Sequence, residues 1–238
     1  MIYAGILAAG LGVRMHRQDM PKQFLPLGEK PIIVHTLEQF FINPQVGRIV
    51  IVAPDRWILY TEDLLARYDT MGKECFVITG GENKAESIDA VARYINETWG
   101  VANDDVLIAH DAIRPFVTQR IINDNIDAAR RCGAANTAIM TNDAVLVSKD
   151  GHLLDEVPPH EIMYAEQTPQ TYMLSKLKAA LDHAVSNGVK LREENELPRL
   201  YIKAGHEMCL VRGEYSNMKI INPYDLEVAN ALLKERKV

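Results

Sequence analysis

The feature that most constrains this chain is the regular alternation of short β-branched runs with amphipathic stretches. Strand-like runs at residues 3–7, 48–52, 75–78, 106–110 and 137–140 are separated by helical stretches at 33–41, 58–68, 85–98 and 119–132. In the last of these, Ile122, Ile126 and Ala129 recur at spacings of four and three, which makes one apolar helix face, and Thr118 stands where an N-cap belongs. Strand, helix, strand in succession predicts βαβ units, hence a mostly parallel sheet with helices on both faces. Ile49-Val50-Ile51-Val52 is apolar at every position, as a strand covered on both sides requires. The expected architecture is a three-layer α/β/α fold.

Residues 141–159 interrupt the alternation. Ala144-Val145-Leu146-Val147, then Lys149-Asp150-Gly151-His152, then Leu153-Leu154 reads as strand, turn and strand, either a plain surface hairpin or an inserted dimerisation arm. Beyond it the pattern predicts a helix over 174–187, an acidic stretch at 192–196, strands near 207–211 and 218–221, and a last helix opened by Asn222-Pro223. Repeats and linker-like tracts are absent from the sequence, so residues 1–238 are expected to form one domain.

Composition narrows the function. With 47% hydrophobic and 24% charged residues the chain has the make-up of a globular protein, not a disordered one. Its 26 basic and 32 acidic side chains give a net charge of −6. That balance supplies no general attraction to nucleic acid or an anionic membrane, so a polyanionic ligand must be met by a local basic pocket. No apolar run approaches the roughly 18 residues that span a bilayer, and Met1-Ile2-Tyr3-Ala4 lacks the basic lead of a signal peptide. A cytoplasmic enzyme is expected. Cys75, Cys132 and Cys209 form neither a disulfide framework nor a metal motif and are expected to be reduced core residues.

The strongest local signal is Leu7-Ala8-Ala9-Gly10-Leu11-Gly12-Val13-Arg14-Met15, followed by Pro21-Lys22-Gln23. It begins where the first strand ends, and ligands of parallel sheets bind beyond the carboxyl ends of strands. Ala8, Ala9, Gly10 and Gly12 carry little or no side chain, so backbone N–H groups can approach phosphate oxygens. Arg14 and Lys22 add two positive charges. Met15 replaces the third glycine of a dinucleotide fingerprint and no Gly-Lys-Ser/Thr is present, so the loop is neither a Rossmann nor a Walker A motif.

With these residues and five further segments, the sequence resembles the cytidylyltransferases that couple CTP to polyol phosphates. The further segments are Gly80-Gly81 with Ser87, the run from His110 to Phe116, Gln167-Thr168-Pro169-Gln170, Met218-Lys219-Ile220, and Pro223-Tyr224-Asp225-Leu226. The resemblance implies a nucleotidyltransferase fold, a homodimer and Mg²⁺-dependent attack by a polyol-phosphate oxygen on the α-phosphorus of CTP. It implies catalytic charges at Arg14, Lys22 and Lys219, and nucleotide contacts at Ala8, Ala9, Gly10, Gly12, Gly81, Ser87 and Ala112. Asp111 would hold Mg²⁺ or an acceptor hydroxyl, while Arg114 would pair with Asp111 or with the acceptor. Thr168 would also belong to the acceptor site.

The acceptor side departs from the family pattern. Lys84 replaces an arginine, Ala144 a threonine, and His160 an arginine expected to grip the acceptor phosphate from the neighbouring subunit. Arg192, in Arg192-Glu193-Glu194-Asn195-Glu196, is placed to restore that lost charge. The start Met1-Ile2-Tyr3-Ala4, the segment Gly213-Glu214-Tyr215-Ser216-Asn217 and Asn222-Pro223-Tyr224-Asp225-Leu226 look closer to the ribitol-phosphate branch, so ribitol 5-phosphate is the first acceptor expected and 2-C-methylerythritol 4-phosphate the second. Two other classes compete. A non-catalytic nucleotide-binding module has little use for positive charge on both sides of an α-phosphate, and an NAD-dependent oxidoreductase is disfavoured by Met15.

Overall fold

A computed structural model describes residues 1–10, 20–194 and 196–235. The apolar runs become β1 (Ile2–Leu7), β4 (Arg48–Ala53), β5 (Glu74–Thr79) and β6 (Val106–Asp111), four parallel neighbours in the order β5-β4-β1-β6. Next to β6 lies β8 (Tyr164–Met173), antiparallel to both β6 and β7 (Ala134–Met140). The short strand β9 (Cys209–Arg212) completes seven strands, parallel to β7. A two-stranded ribbon of β2 (Pro26–Leu27) and β3 (Lys30–Pro31) stands apart; between them Gly28 takes φ 61°, a left-handed value that favours glycine.

The double-sided apolarity of β4 is used on both faces. Ile49 and Ile51 pack with α1 (Ile32–Phe41), α2 (Ile58–Tyr68) and α4 (Gln119–Cys132). Val50 and Val52 pack with α3 (Lys84–Trp99), α5 (Leu174–Ser186) and α6 (Leu197–Lys203). The three-layer expectation holds, because successive strand residues point to opposite faces and both faces are covered. Capping follows the sequence: Thr118 Oγ1 accepts from Ile121 N–H, and Asn222 Oδ1 accepts from Asp225 N–H at the start of α7 (Pro223–Glu235). No helix among the described residues is long and apolar enough to cross a membrane.

Four expectations need correction. The arm at 141–159 does not form paired strands; its pairing is the single bridge Val147–Glu156. The Asp150 carboxylate accepts the N–H groups of His152 and Leu153, and Asp155 accepts that of Lys149, so side chains take bonds a hairpin ladder would need. The expected strand at 218–221 is an irregular segment anchored by Ile220 N–H to Ile113 O at 2.9 Å. Strand β8 and helix α6 were not expected at all. Finally, Cys132 and Cys209 are not reduced core residues but a disulfide, with Cα atoms 6.0 Å apart, joining the end of α4 to β9; Cys75 is the remaining, half-buried thiol.

Candidate active site

Strands β1, β4, β5 and β6 all end on one edge of the sheet, and a cavity of about 720 Å³ opens there. Its wall takes Ala8, Ala9 and Gly10 after β1, Pro54 and Asp55 after β4, Thr79 to Gly81 at the end of β5, and Asp111 at the end of β6. Gly80 is needed for closeness, since a Cβ there would collide with Ala9. A Cβ on Gly81 would likewise strike Glu86. Two loops and a helix start thus meet without side-chain bulk, leaving backbone to face the cavity.

Helix α3 aims its N-terminus at this space. Asn83 caps it by accepting the Glu86 N–H at 2.9 Å, and Lys84 and Ser87 line the cavity beside it. Helix N-termini carry unpaired N–H groups and a positive dipole end, which favour anions. Lys22, from the turn Lys22–Phe24, and Lys219 bring further positive charge to the same wall.

Asp111 is the acidic centre. Lys219 Nζ lies 3.0 Å and Arg114 Nε 3.3 Å from its Oδ2. Burial alone would push this carboxyl up, but the charges of Lys219, Lys84 and Arg114 together hold it well below the usual carboxylate range. It is therefore ionised at any physiological pH. Lys84 is shared with Glu166, whose carboxylate lies 3.7 Å from its Nζ.

The structure brings together Ala8, Ala9, Gly10, Lys22, Gly81, Ser87, Asp111 and Lys219 around one cavity. Gly12 and Arg14 lie outside the described residues. Five other expected site residues are not on the cavity wall. Ala112 is fully buried, its carbonyl accepting from Thr36 Oγ1 at 2.9 Å. Arg114 sits behind Asp111, with Nη1 donating to Asn217 O at 2.8 Å. The sequence left Arg114 two partners; its ion pair is with Asp111. Thr168 is 1% exposed and bonded to the backbone of Asp111, away from the cavity. His160 and Arg192 lie on exposed 3-10 turns; the His160 imidazole faces Glu161 at 3.5 Å. Asn83 does tie Arg192's turn to the rim, donating to Leu191 O at 2.8 Å.

Sequence inspection missed Asp55, Thr79 and Asn83 as cavity residues. Their signal was position: each follows an apolar run at the carboxyl edge, where β1 and β6 also deliver their site residues. Lys84 entered only as a change from the family's arginine, yet it is one of three lysines on the wall.

The described residues contain no group of three or more His, Cys, Asp or Glu able to hold a metal. The ionised Asp111 carboxylate beside an anion-binding helix start nevertheless fits Mg²⁺, which takes one or two protein carboxylates and completes its shell with phosphates and water.

An α/β sheet whose carboxyl edge gathers a small-residue loop, a helix N-terminus, three lysines and the buried Asp111 carboxylate defines a nucleotide-dependent transferase site. The chain belongs to the family described as IspD, 2-C-methyl-D-erythritol 4-phosphate cytidylyltransferase, whose profile matches residues 2–235; it is a CTP-dependent nucleotidyltransferase. Among solved structures it is similar to the 2-C-methyl-D-erythritol 4-phosphate cytidylyltransferase of Francisella tularensis, with 28% identity over 97% of this chain and 98% of that one at a TM-score of 0.77. The 4-diphosphocytidyl-2C-methyl-D-erythritol synthase of Anaerococcus prevotii shares the fold, with 24% identity, 98% and 96% coverage and a TM-score of 0.80.

Proposed function

We propose that this protein transfers CMP from CTP to 2-C-methyl-D-erythritol 4-phosphate with release of pyrophosphate. The observation that carries this reading is the family match across residues 2–235, joined to a cavity whose lysines arrive from three separate chain segments. It moves 2-C-methyl-D-erythritol 4-phosphate ahead of ribitol 5-phosphate, the acceptor favoured by sequence resemblance alone.

The acceptor phosphate is a monoester with a second pKa near 6, so its oxygen is already anionic at neutral pH and no general base is required. The difficulty is bringing two anions together in line. Lys22, with Arg14 from the same loop, would neutralise the triphosphate and the departing pyrophosphate. Lys219, held by Asp111, would face the α-phosphate, where charge develops in the transition state. Ala8 to Gly10 and the start of α3 would seat the nucleotide, with Gly81 and Ser87 against the base. Mg²⁺ held by Asp111 together with substrate phosphates would supply further charge neutralisation and fix phosphate orientation.

The protein would act in the cytoplasm as a homodimer. Leu146, Leu153, Leu154 and Val157 on the arm and Ile162 in the turn that follows it are 53–72% exposed, an apolar surface that a second copy would cover. At the arm's base Met140, Tyr164, Leu210 and Tyr215 line a groove of about 980 Å³ that such a partner would fill. His160 would then contribute to the partner's acceptor site and not to its own cavity.

The test is a competition: CTP with equal 2-C-methyl-D-erythritol 4-phosphate and ribitol 5-phosphate, products weighed by mass spectrometry. CDP-methylerythritol in large excess is expected. A dominant CDP-ribitol peak would restore the other acceptor, and CTP binding without any product would favour the non-catalytic module.

A further inference from the structure

Among the described residues, the cavity at the carboxyl edge of the sheet has its positive charge at one end. Lys219 pairs with Asp111 at the end of β6, and Lys84 pairs with Glu166 on β8, the strand beside β6. The turn that carries Lys22 is tied to the loop after β1, because Gln23 Nε2 donates to Ala8 O. All three lysines therefore reach the wall on the side of β1 and β6.

The end at β4 and β5 carries a carboxylate instead. Asp55 follows β4, Thr79 closes β5, and both line the wall. Ala53 pairs with Thr79 across these two strands, and Gly80 N–H donates to Ala53 O at 3.1 Å, which brings the two strand ends side by side. There Thr79 Oγ1 donates to Asp55 Oδ1. A carboxylate has about four acceptor positions, so this bond fixes the direction of the group and leaves Oδ2 able to accept from a ligand. Neighbouring strands lie about 4.8 Å apart, which separates the ends of β4 and β6 by about 10 Å.

Such a cavity gives a nucleoside triphosphate one favourable direction. Its phosphates go to the lysines, and its uncharged base goes to the end where a carboxylate would repel phosphate. The bases differ at that end. Cytosine carries an amine, N4–H₂, where uracil carries the carbonyl oxygen O4. The amine can donate to Asp55, whereas O4 against a carboxylate sets two acceptors face to face with no hydrogen between them. A site built to bond a substrate N–H rejects the analogue that lacks it.

We infer that Asp55, aimed by Thr79, selects CTP over UTP by accepting a hydrogen bond from the cytosine amine. This rests on the transfer from CTP proposed above and adds a charged contact to Gly81 and Ser87. Glu82 is the rival carboxylate on the same stretch of wall. Both side chains are exposed, so a fixed direction is what separates them. Asp55 is held by its side chain across two strand ends, whereas Glu82 is tied to Glu86 through its backbone N–H.

The test compares the two pyrimidine nucleotides. Calorimetry with Mg²⁺ and either CTP or UTP, without any acceptor, gives the ratio of their dissociation constants whichever acceptor the protein uses. Asp55→Asn keeps the shape of the side chain but can offer an N–H to uracil O4. It should shrink the preference for CTP about tenfold, the lower end for a hydrogen bond to a charged group, with part of the change coming from tighter UTP. Thr79→Val should shrink it about two- to fivefold, the scale of re-ordering one freed side chain. Glu82→Gln should leave the ratio at the parent value. Circular dichroism checks that each variant is folded. A parent-like ratio in Asp55→Asn overturns the inference, and so does equal weakening of CTP and UTP, the mark of a contact to ribose or phosphate. A ratio moved by Glu82→Gln and not by Asp55→Asn overturns it in favour of Glu82. In all three cases a parent that prefers CTP leaves the transfer standing; a parent that binds both nucleotides alike contradicts the transfer from CTP along with the role of Asp55.

Discussion

Single residues bear unequal loads at this site. Lys22 and Lys219 are held at the cavity by folded segments, and in the proposed transfer their charge would act where charge builds up on the α-phosphate. Lys22→Ala and Lys219→Ala should each lower turnover by about two orders of magnitude or more, while circular dichroism stays unchanged, because charge placed on a transition state affects kcat more than packing. Pyrophosphate release measures it, and near-parent turnover in either folded variant would remove that lysine from the mechanism. His110 gives a second prediction. Burial holds its pKa down to about 4 against an ordinary 6.5. Below pH 6.5 the unfolded chain gains a proton that the folded chain refuses, so stability falls between pH 6.5 and about 4. The part owed to His110 is about 3 kcal/mol, and urea titrations across that range should show a shallower pH slope for His110→Gln. Identical slopes would mean that the ring is already charged in the folded protein. Residue types along the first loop were legible in sequence because the motif is local. The partnership of Asp111 with Lys219 was not, because only the fold brings the segment after β9 under the end of β6.

Elements that announce themselves by pattern formed where expected: α2 and α4 match to the residue, and β1, β4 and β6 within one. Those that failed did so for physical reasons. Strand β8 contains Pro169, which cannot donate to a ladder and argues against a central strand. The structure accommodates it where the β7–β8 register shifts and β6 pairing has not yet begun. Strand β9 has only four residues and one neighbour, and the disulfide to α4 compensates for that weak attachment. The bond closes a separation of 77 residues. Removing it as Cys132→Ser should cost about 2–4 kcal/mol of stability, read by denaturant titration without reductant. Labelling of unfolded, unreduced protein should find one thiol, Cys75; three reactive thiols would show that the pair is not bonded in solution. Cysteine spacing held no trace of this pairing, since parallel β7 and β9 and the helix before β7 bring the two sulfurs together.

At the scale of the whole molecule, one sheet edge delivers the chemistry and the opposite demands of solubility and assembly fall on the arm. The apolar arm residues are more exposed than buried within their own chain, so replacing residues 145–154 by Gly-Ser should convert the proposed dimer into a monomer. CTP affinity should persist, because its loop and helix start belong to each chain. Light scattering and calorimetry at micromolar concentration measure both; a parent protein that is already monomeric would refute the assembly. The central claim remains the transfer itself: an oxygen of the acceptor phosphate attacks the α-phosphorus of CTP. The direct test uses 2-C-methyl-D-erythritol 4-phosphate with ¹⁸O in its phosphate oxygens and follows the label into products by mass spectrometry. The account predicts a CDP-alcohol that retains all of the label and pyrophosphate that carries none. Label in pyrophosphate, or CMP released without a CDP-alcohol, would contradict it.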